Sequence, residues 1–375
     1  MHESKKRKLS PELQPATAIN GHANGHANGD LHTTKPTAVF TPKGGRSHTV
    51  SIALPGSIIA NAQSHDQKTH LAGSIARALA VFCVDEVVIF EDDVRPRNPV
   101  KYDDEYTAFT DPSHFLAHLL SYLETPPHLR KHLFPMHRNL RTAGTLPSLD
   151  MPHHIRANEW CEYREGVTLA EEQDAGGGGG GGKKKKKYKK HKFKHKNHGD
   201  SSTGTLIHTG LPKPIRVEGL SVPENTRITV KFRTDHPSGG ADAVAPSVPR
   251  EEAGYYWGYS VRRCDSLSAV FMECPFDGGY DLSFGTSERG TPLNKVLKQD
   301  IPAYKHLLLV FGGVAGLEAA VKADPTLQLN PTEAEEVFDY YVNILPGQGS
   351  RTIRTEEAVW LGLMGLQSVI QDNHQ

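Results

Sequence analysis

The sequence is poor in cysteine and has no long apolar segment. It contains four cysteines, none of them in a Cys-x-x-Cys pair: Cys83, Cys161, Cys264 and Cys274. Neither a zinc site nor a disulfide framework is therefore indicated, and a reducing compartment fits this usage. No apolar run reaches the roughly 18 residues of a membrane-spanning helix, and no signal-peptide pattern opens the chain. These absences predict a protein without membrane association or a metal site.

The sequence also lacks the fingerprints of phosphate-binding loops. Glycines mark three segments, at 285–290, 312–318 and 343–358, but none contains Gly-x-Gly-x-x-Gly or Gly-Lys followed by Ser or Thr. A bound nucleoside triphosphate or dinucleotide is therefore disfavoured. Loops of this composition still indicate a ligand crevice when they follow the strands of an α/β sheet. For each loop alone, an ordinary strand-to-helix turn remains the alternative.

Charge is distributed unevenly along the chain, although the formal net charge is zero. Ten of the 43 basic residues lie in 183–196, so the rest of the chain has 33 basic against 43 acidic residues. This lysine tract follows a glycine tract, and we expect 171–200 to be a flexible loop. It would bind RNA phosphates without sequence preference, act as a nuclear signal, or simply be solvated.

The amino-terminal residues 1–45 have few large apolar side chains and are expected to be disordered. Their basic run at 5–8 reads equally well as a nuclear import signal or as a solvated tail. We expect a nuclear protein, with the nucleolus as a candidate compartment. Histidine pairs or triplets at 153–154 and 191–198 have no recognised ligand spacing, and solvated imidazoles are favoured over metal ligands.

An alternation of strands and helices predicts an α/β domain with a parallel sheet. The expected elements are strands at 49–54 and 86–90 and helices at 58–81 and 115–123. From about residue 141 the pattern changes to short strands, at 205–208, 215–217 and 227–232, which predict a small all-β insertion. An aromatic cluster at 255–259 then returns the chain to the α/β domain, where we expect it to pack at the junction, with a strand near 269–272.

The ligand crevice is expected where the last strands meet the last helix. Residues 306–311 form an apolar strand that runs into Gly312 and Gly313. A second apolar run, 337–345, leads into the polar loop that ends at Thr355, which is expected to cap a helix reaching residue 370.

These motifs carry a resemblance to a known family. The sequence Phe-Gly-Gly at 311–313, Ile-Leu-Pro-Gly at 344–347 and Arg-Thr-Ile-Arg-Thr-Glu-Glu-Ala at 351–358 resembles the SPOUT superfamily of RNA methyltransferases, and most closely its eukaryotic and archaeal branch of SPOUT domain-containing methyltransferases. The ending also resembles bacterial enzymes that methylate N3 of a ribosomal RNA uridine. The resemblance covers roughly residues 46–370.

The resemblance implies a fold, a cofactor and a set of site residues. It implies a SPOUT-type α/β domain (46–140 and 255–375) with a carboxy-terminal trefoil knot, an OB-like β-barrel insertion (141–254), a homodimer, and methylation of ribosomal RNA with S-adenosyl-L-methionine. Arg77, Arg289 and Arg351 are the candidates for stabilising a uridine anion. The expected cofactor contacts are Thr286, Gly312, Gly313, Asn343, Ile344, Leu345, Gly347, Gln348, Ile353, Thr355 and Ala358.

Two other functions remain open at this point. One is an RNA-binding assembly factor that keeps the fold without turnover. The other is a methyltransferase acting on a protein or a small molecule. No histidine or carboxylate is identifiable from the sequence as the base that removes the uridine proton. For Arg77, the alternative to a catalytic or RNA-contact role is a surface arginine or an ion pair between the helix and a carboxylate.

Overall fold

Two β-sheets organise the residues that the structure, a computed structural model, describes: 42, 44–93, 105–170, 204–234 and 237–372. All of them belong to one unit, residues 33–375. Most of the expected disordered tail and the whole of the expected 171–200 loop lie outside the described residues. Strands and α-helices are numbered below in chain order.

The larger sheet contains six parallel strands in the order β11-β9-β10-β1-β2-β8. These are β1 (Thr49–Pro55), β2 (Glu86–Phe90), β8 (Ser260–Cys264), β9 (Leu282–Pro292), β10 (His306–Phe311) and β11 (Tyr340–Asn343). The central strands β1, β2 and β10 are buried along their whole length, as expected of a parallel sheet covered on both faces.

Helices cover both faces of this sheet. Alternate residues of β10 face opposite sides, so Leu307 and Leu309 join one core cluster while Leu308 and Val310 join the other. The first cluster includes side chains from α1 (His65–Val81), α2 (Pro112–Glu124), α6 (Leu293–Val296) and α8 (Thr355–Gly365). The second includes α5 (Leu267–Met272) and α7 (Leu317–Ala323).

The smaller sheet is antiparallel and nearly closes into a barrel. Its order is β5-β4-β3-β6-β7, with β3 (Tyr163–Thr168), β4 (Gly204–His208), β5 (Ile215–Glu218), β6 (Arg227–Phe232) and β7 (Ala241–Val244). The outer strands β5 and β7 also approach each other. Alternating apolar residues of β5 and β6, such as Val217 and Val230, fill its own small core.

The remaining helical elements are short. They are α3 (Arg130–Leu133), α4 (Val248–Ala253) and α9 (Gln367–Asp372), with 3-10 turns at Gly56–Asn61, Arg138–Leu140, Ala143–Thr145, Pro237–Gly239 and Pro331–Val337. Within the described residues, no helix has the length and apolar character required to span a bilayer. The four cysteines are free thiols.

Several sequence expectations about these elements need correction. The expected helix at 58–81 is a 3-10 turn followed by α1, because Ser64 and Gln67 form a capping box that starts a new helix at His65. The expected strand at 269–272 is the helix α5, because the Ser266 hydroxyl accepts from the Ala269 N–H and caps it. The strand that joins the larger sheet in this part of the chain is β8, which precedes α5.

The glycine segment 285–290, expected as a loop, is the second half of the long strand β9. The pairing of β9 with β11 shifts register between Tyr341 and Val342, so the strand continues past an irregularity rather than ending. The expected helix from Thr355 to residue 370 is divided into α8 and α9. Thr355 is the first helical residue, and Arg354 occupies the capping position.

The aromatic cluster at 255–259 packs between the larger sheet and the barrel, as expected. The Tyr256 hydroxyl donates to the Leu79 carbonyl of α1 at 3.2 Å, and the Tyr259 hydroxyl donates to Leu120 of α2 at 3.0 Å. The Trp257 indole donates to the Glu165 carboxylate of β3 at 2.8 Å. These bonds hold α1, α2 and β3 against one another.

Candidate functional site

A cavity of about 540 Å³ opens where β9, β10 and β11 lead into their loops. Its walls come from the second half of β9, from 311–316 after β10, from the loop after β11 and from the first turn of α8. Asn61, at the end of the turn that follows β1, completes the rim. Three strands that lie side by side thus deliver loops to one place, the usual position of a ligand crevice in an α/β sheet.

The loop after β10 is shaped by its glycines. A Cβ atom on Gly312 would lie 2.8 Å from the Gly316 carbonyl carbon and the Leu317 nitrogen, so no larger residue fits there. Gly316 has φ +77°, a left-handed conformation that favours glycine. These two positions let the backbone turn tightly over the cavity and expose its polar groups to a ligand.

The loops are bonded to one another around the cavity. The Thr355 hydroxyl donates to the Gly312 carbonyl at 3.0 Å, which joins the start of α8 to the loop after β10. The Thr286 hydroxyl donates to the Val310 carbonyl at 3.1 Å, and the Asn343 amide donates to the Glu288 carbonyl at 2.8 Å. The cavity wall is therefore held by cross-links between all four segments.

The cavity wall contains both acidic and basic side chains. Arg289 is 68% exposed and pairs with Glu318 at 3.0 Å across the mouth of the cavity. Glu288 and Arg354 also line the wall. The floor is apolar or uncharged, with Phe311, Ile344, Ile353 and Ala358 among its residues. Such a site suits a ligand with a flat apolar part and a few polar groups.

Most of the residues expected to bind the cofactor are brought together here. All of them except Gly347 line the cavity: Thr286, Gly312, Gly313, Asn343, Ile344, Leu345, Gln348, Ile353, Thr355 and Ala358. Gly347 adopts φ +76° in the same loop and so shapes it without reaching the wall. Their binding roles remain predictions.

The three candidate catalytic arginines are separated. Arg289 lines the cavity, whereas Arg351 is an exposed residue of the loop outside the lining. Arg77 lies on α1, where it donates to the Leu149 carbonyl at 2.7 Å and more weakly to Ser148. The geometry favours Arg289 for a role in the cavity, whereas Arg77 joins α1 to the segment that leads toward the barrel.

A carboxylate that sequence reasoning did not single out lies directly behind the cavity loop. The Ser57 hydroxyl donates to Asp92 Oδ2 at 2.6 Å, and a Cβ atom on Gly313 would lie 3.1 Å from the same oxygen. Burial raises the pKa of Asp92 despite the bond from Ser57. Its Oδ1 atom is buried without a hydrogen-bond partner among the described residues. The signal in the sequence was the acidic run that ends β2.

Histidines outside the cavity behave differently from the solvated groups expected. His153 is buried and lies 2.9 Å from Glu124 through its Nε2 atom, so it belongs to the structural core. The histidines of 191–198 lie outside the described residues. The prediction of solvated imidazoles is wrong for His153 because the sequence gives no sign of the carboxylate beside it.

One histidine trio could geometrically surround a metal ion. His114, His118 and His137 bring nitrogen atoms within 4.8 Å of one another, and the His-x-x-x-His spacing on α2 was its sequence signal. The Asn139 main-chain N–H donates to His137 Nδ1 at 3.1 Å, and its side-chain nitrogen lies 3.5 Å from His118 Nδ1, so these two ring nitrogens already have a protein partner. Arg263 beside His114 further disfavours a cation.

Comparison with known proteins decides the family. The family described as "Putative RNA methyltransferase" matches residues 49–366, which include every strand of the described residues and every residue that lines the cavity. The chain belongs to this family. It is therefore a methyltransferase by family, and the cavity is the candidate site for its methyl donor.

The relatives of this RNA methyltransferase point the same way. It is 42% identical over 330 residues to the human protein named 28S rRNA (uridine-N(3))-methyltransferase, covering 86% of this chain and 79% of the relative. The mouse protein of the same name is 41% identical, with 86% and 77% covered. The Drosophila melanogaster protein of that name is 37% identical, with 98% and 70% covered.

Proposed function

We propose that this protein transfers a methyl group from S-adenosyl-L-methionine to N3 of a uridine in ribosomal RNA. The observation that carries the proposal is the cavity built by adjacent loops of a parallel sheet in a chain that belongs to an RNA methyltransferase family. The atom and the base follow from the names of its relatives. A methyltransferase of proteins or small molecules finds no support among them.

The residues present fit the proposed cofactor. The close approach of Gly312 to the Gly316 backbone keeps this turn compact at the cavity wall. Ile344, Ile353 and Ala358 supply apolar contact area, while Asn343 and Gln348 supply hydrogen-bonding side chains at the wall. A volume of about 540 Å³ lies in the range of small-molecule sites.

The proposed reaction requires no nucleophilic side chain of the protein. When bound, the cofactor supplies an electrophilic methyl group and its own leaving group. Methylation of N3 would require that its proton pass to a base, so that the nitrogen could form the new N–C bond as the C–S bond of the cofactor broke. The protein's task is to align these atoms and to stabilise negative charge on the uracil oxygens, for which Arg289 in the cavity wall is the candidate.

Further features of the proposal come from the SPOUT resemblance. We infer that the loops around the cavity form a trefoil knot, that the antiparallel barrel is OB-like, and that the protein acts as a homodimer in the nucleus. The Thr355 to Gly312 bond supports close contact between the last helix and the loop after β10, which a knot of this kind needs. Small-angle scattering that finds only monomers would remove the dimer from the proposal.

The cofactor site is tested by titration calorimetry with S-adenosylhomocysteine. We expect binding to the parent protein and none to Gly313→Val, because side-chain atoms there meet Ser57 and Asp92 at about 3 Å. Gly144→Val is the matched control, since a Cβ atom at Gly144 meets nothing within 4 Å. An unmodified protein that releases no heat with this ligand contradicts the assignment of the cavity.

Turnover needs a separate measurement. When the purified protein is added to ribosomal RNA from cells that lack it, the RNA should accept labelled methyl groups from S-adenosyl-L-methionine. Mapping should place these groups on uridine N3. Cofactor binding without methyl incorporation into this RNA would instead favour the RNA-binding assembly factor.

A further inference from the structure

The segment between α2 and the barrel has a one-sided charge. Residues 125–149 contain no Asp or Glu and four Lys or Arg side chains. Three of these are exposed, namely Lys131, Arg138 and Arg141, and none has an ion-pair partner among the described residues. Arg130 is different, because it turns inward to donate to the Thr125 and Leu123 carbonyls.

One end of this segment touches the barrel. The His132 ring lies 5.6 Å from the ring of His208 on β4. The His128 Nε2 atom is 3.1 Å from the Glu165 carbonyl oxygen of β3. The exposed Lys131 is therefore beside the barrel strands β3 and β4.

The other end touches the structure that supports the cavity rim. The Thr142 and Thr69 hydroxyls are bonded at 2.9 Å, which places Arg141 beside the start of α1. One residue before Thr69, the Lys68 ammonium donates to the Ile59 and Ala62 carbonyls at 2.6 Å. Those carbonyls flank Asn61, which lines the cavity.

An exposed aromatic ring lies at the same end. Phe109 is 64% exposed, and the Lys68 ammonium is 4.8 Å from its ring centre. The Phe109 ring contacts Tyr106 at 5.6 Å, and the Arg141 guanidinium lies 5.9 Å from Tyr106. A flat apolar surface thus adjoins the cations close to the cavity rim.

The segment is fixed rather than loosely attached. Arg77 bonds the Leu149 carbonyl at 2.7 Å, and Leu146 packs so closely on α1 that a Cβ atom at Gly73 would lie 2.7 Å from it. These contacts fix the end of the segment, near Leu146 and Leu149, against α1.

We propose that Lys131, Arg138, Arg141 and Phe109 form an RNA-contact surface that runs from the cavity rim to the barrel. The cations contact the sugar–phosphate backbone of the substrate, and Phe109 stacks on an unpaired base next to the target. This proposal rests on the proposed function for the choice of RNA as the partner. Exposed cations without an ion-pair partner among the described residues suit the repeating charge of a nucleic acid backbone, and an exposed ring offers a stacking surface to any base.

Fluorescence anisotropy with a labelled RNA stem–loop that carries a uridine in its loop tests the surface. The triple variant Lys131→Gln, Arg138→Gln and Arg141→Gln should bind at least about tenfold more weakly at physiological salt. The slope of its log affinity against log salt concentration should be smaller in magnitude than that of the parent by roughly 2 to 3. Phe109→Ala should weaken binding about tenfold with an unchanged slope, because stacking releases no counterions.

A matched triple variant controls for the lost charge. Lys295→Gln, Lys298→Gln and Lys322→Gln removes three exposed cations outside the proposed surface and should leave affinity and slope near those of the parent. The surface is refuted if the first triple binds like the parent, or if both triples weaken equally.

Heats of S-adenosylhomocysteine binding should be the same in all these variants. A parent protein that binds RNA through this surface but transfers no methyl group would leave the surface standing and contradict only the proposed reaction.

Discussion

Replacing Arg227 with methionine should destabilise the protein substantially at neutral pH. Arg227 begins β6 and bonds both oxygens of Glu124, the last residue of α2, at 2.6 and 2.9 Å. Its Nε atom bonds Glu165 of β3 at 2.6 Å. The Arg227 side chain is 31% exposed, but the two carboxylates are only 7% and 2% exposed. The substitution leaves two buried negative charges without their shared cation.

The expected size follows from the cost of stranding a buried charge, about 3–5 kcal/mol. Glu165 keeps its bonds from the Thr229 hydroxyl and the Trp257 indole, and Glu124 keeps His153. These remaining donors place the loss in the free energy of unfolding near the lower end, about 3 kcal/mol.

The loss in the free energy of unfolding caused by Arg227→Met should depend on pH. Burial alone would raise the pKa values of Glu124 and Glu165, but the charge of Arg227 and their hydrogen bonds hold both below the usual value. A depressed pKa contributes stability above the unfolded value of about 4.3, and this contribution disappears as the pH falls. The difference between parent and variant should therefore shrink toward acid pH.

Urea denaturation of both proteins near pH 7 and near pH 4 measures these quantities. Arg233→Met is the control, because Arg233 pairs with Asp242 at the surface and its loss should have little effect. The reasoning fails if Arg227→Met unfolds at the parental urea concentration at neutral pH, or if its deficit grows on acidification.

Three further substitutions test the cavity and its surroundings. Asp92→Asn should raise the melting temperature at neutral pH, because burial raises the pKa of this carboxyl and disfavours its ionised form. The gain should disappear below about pH 4, where the carboxyl is protonated in both the folded and the unfolded protein. An unchanged or lower melting temperature at pH 7 would contradict this. Gly312→Ala should abolish S-adenosylhomocysteine binding in calorimetry, since its methyl group would overlap the Gly316 backbone, and parental affinity would disprove the tight turn. Thr355→Val should weaken that binding about three- to tenfold by removing the bond to Gly312, whereas Ser350→Ala, further along the loop, should not.

The sequence was most informative where chemistry is local. Apolar runs that end in glycine located β10 and the loop at Gly312, and the wall of the cavity contains all but one of the residues expected to bind the cofactor. The short run at 205–208 and the alternating run at 227–232 likewise predicted strands of the barrel. In these places the residue types alone restrict the backbone to few conformations.

It was least informative where distant residues meet. Ser57 and Asp92 are 35 positions apart, and only the pairing of β1 with β2 brings them together behind Gly313. His153 and Glu124 are likewise far apart in the sequence and meet only in the folded chain. The strand expected at 269–272 failed for a different reason, because a single serine cap outweighs the apolar character of a short run.

The strands β2 and β8 are adjacent and parallel, although the α2 helix and the whole barrel intervene between them in the chain. The sheet therefore accommodates this excursion at its outermost edge, while β9, β10 and β11 build the cavity toward the other edge. Substitutions or insertions in the barrel therefore need not disturb the strands that build the cavity. The architecture thus permits the barrel and the cavity to change independently within a single polypeptide.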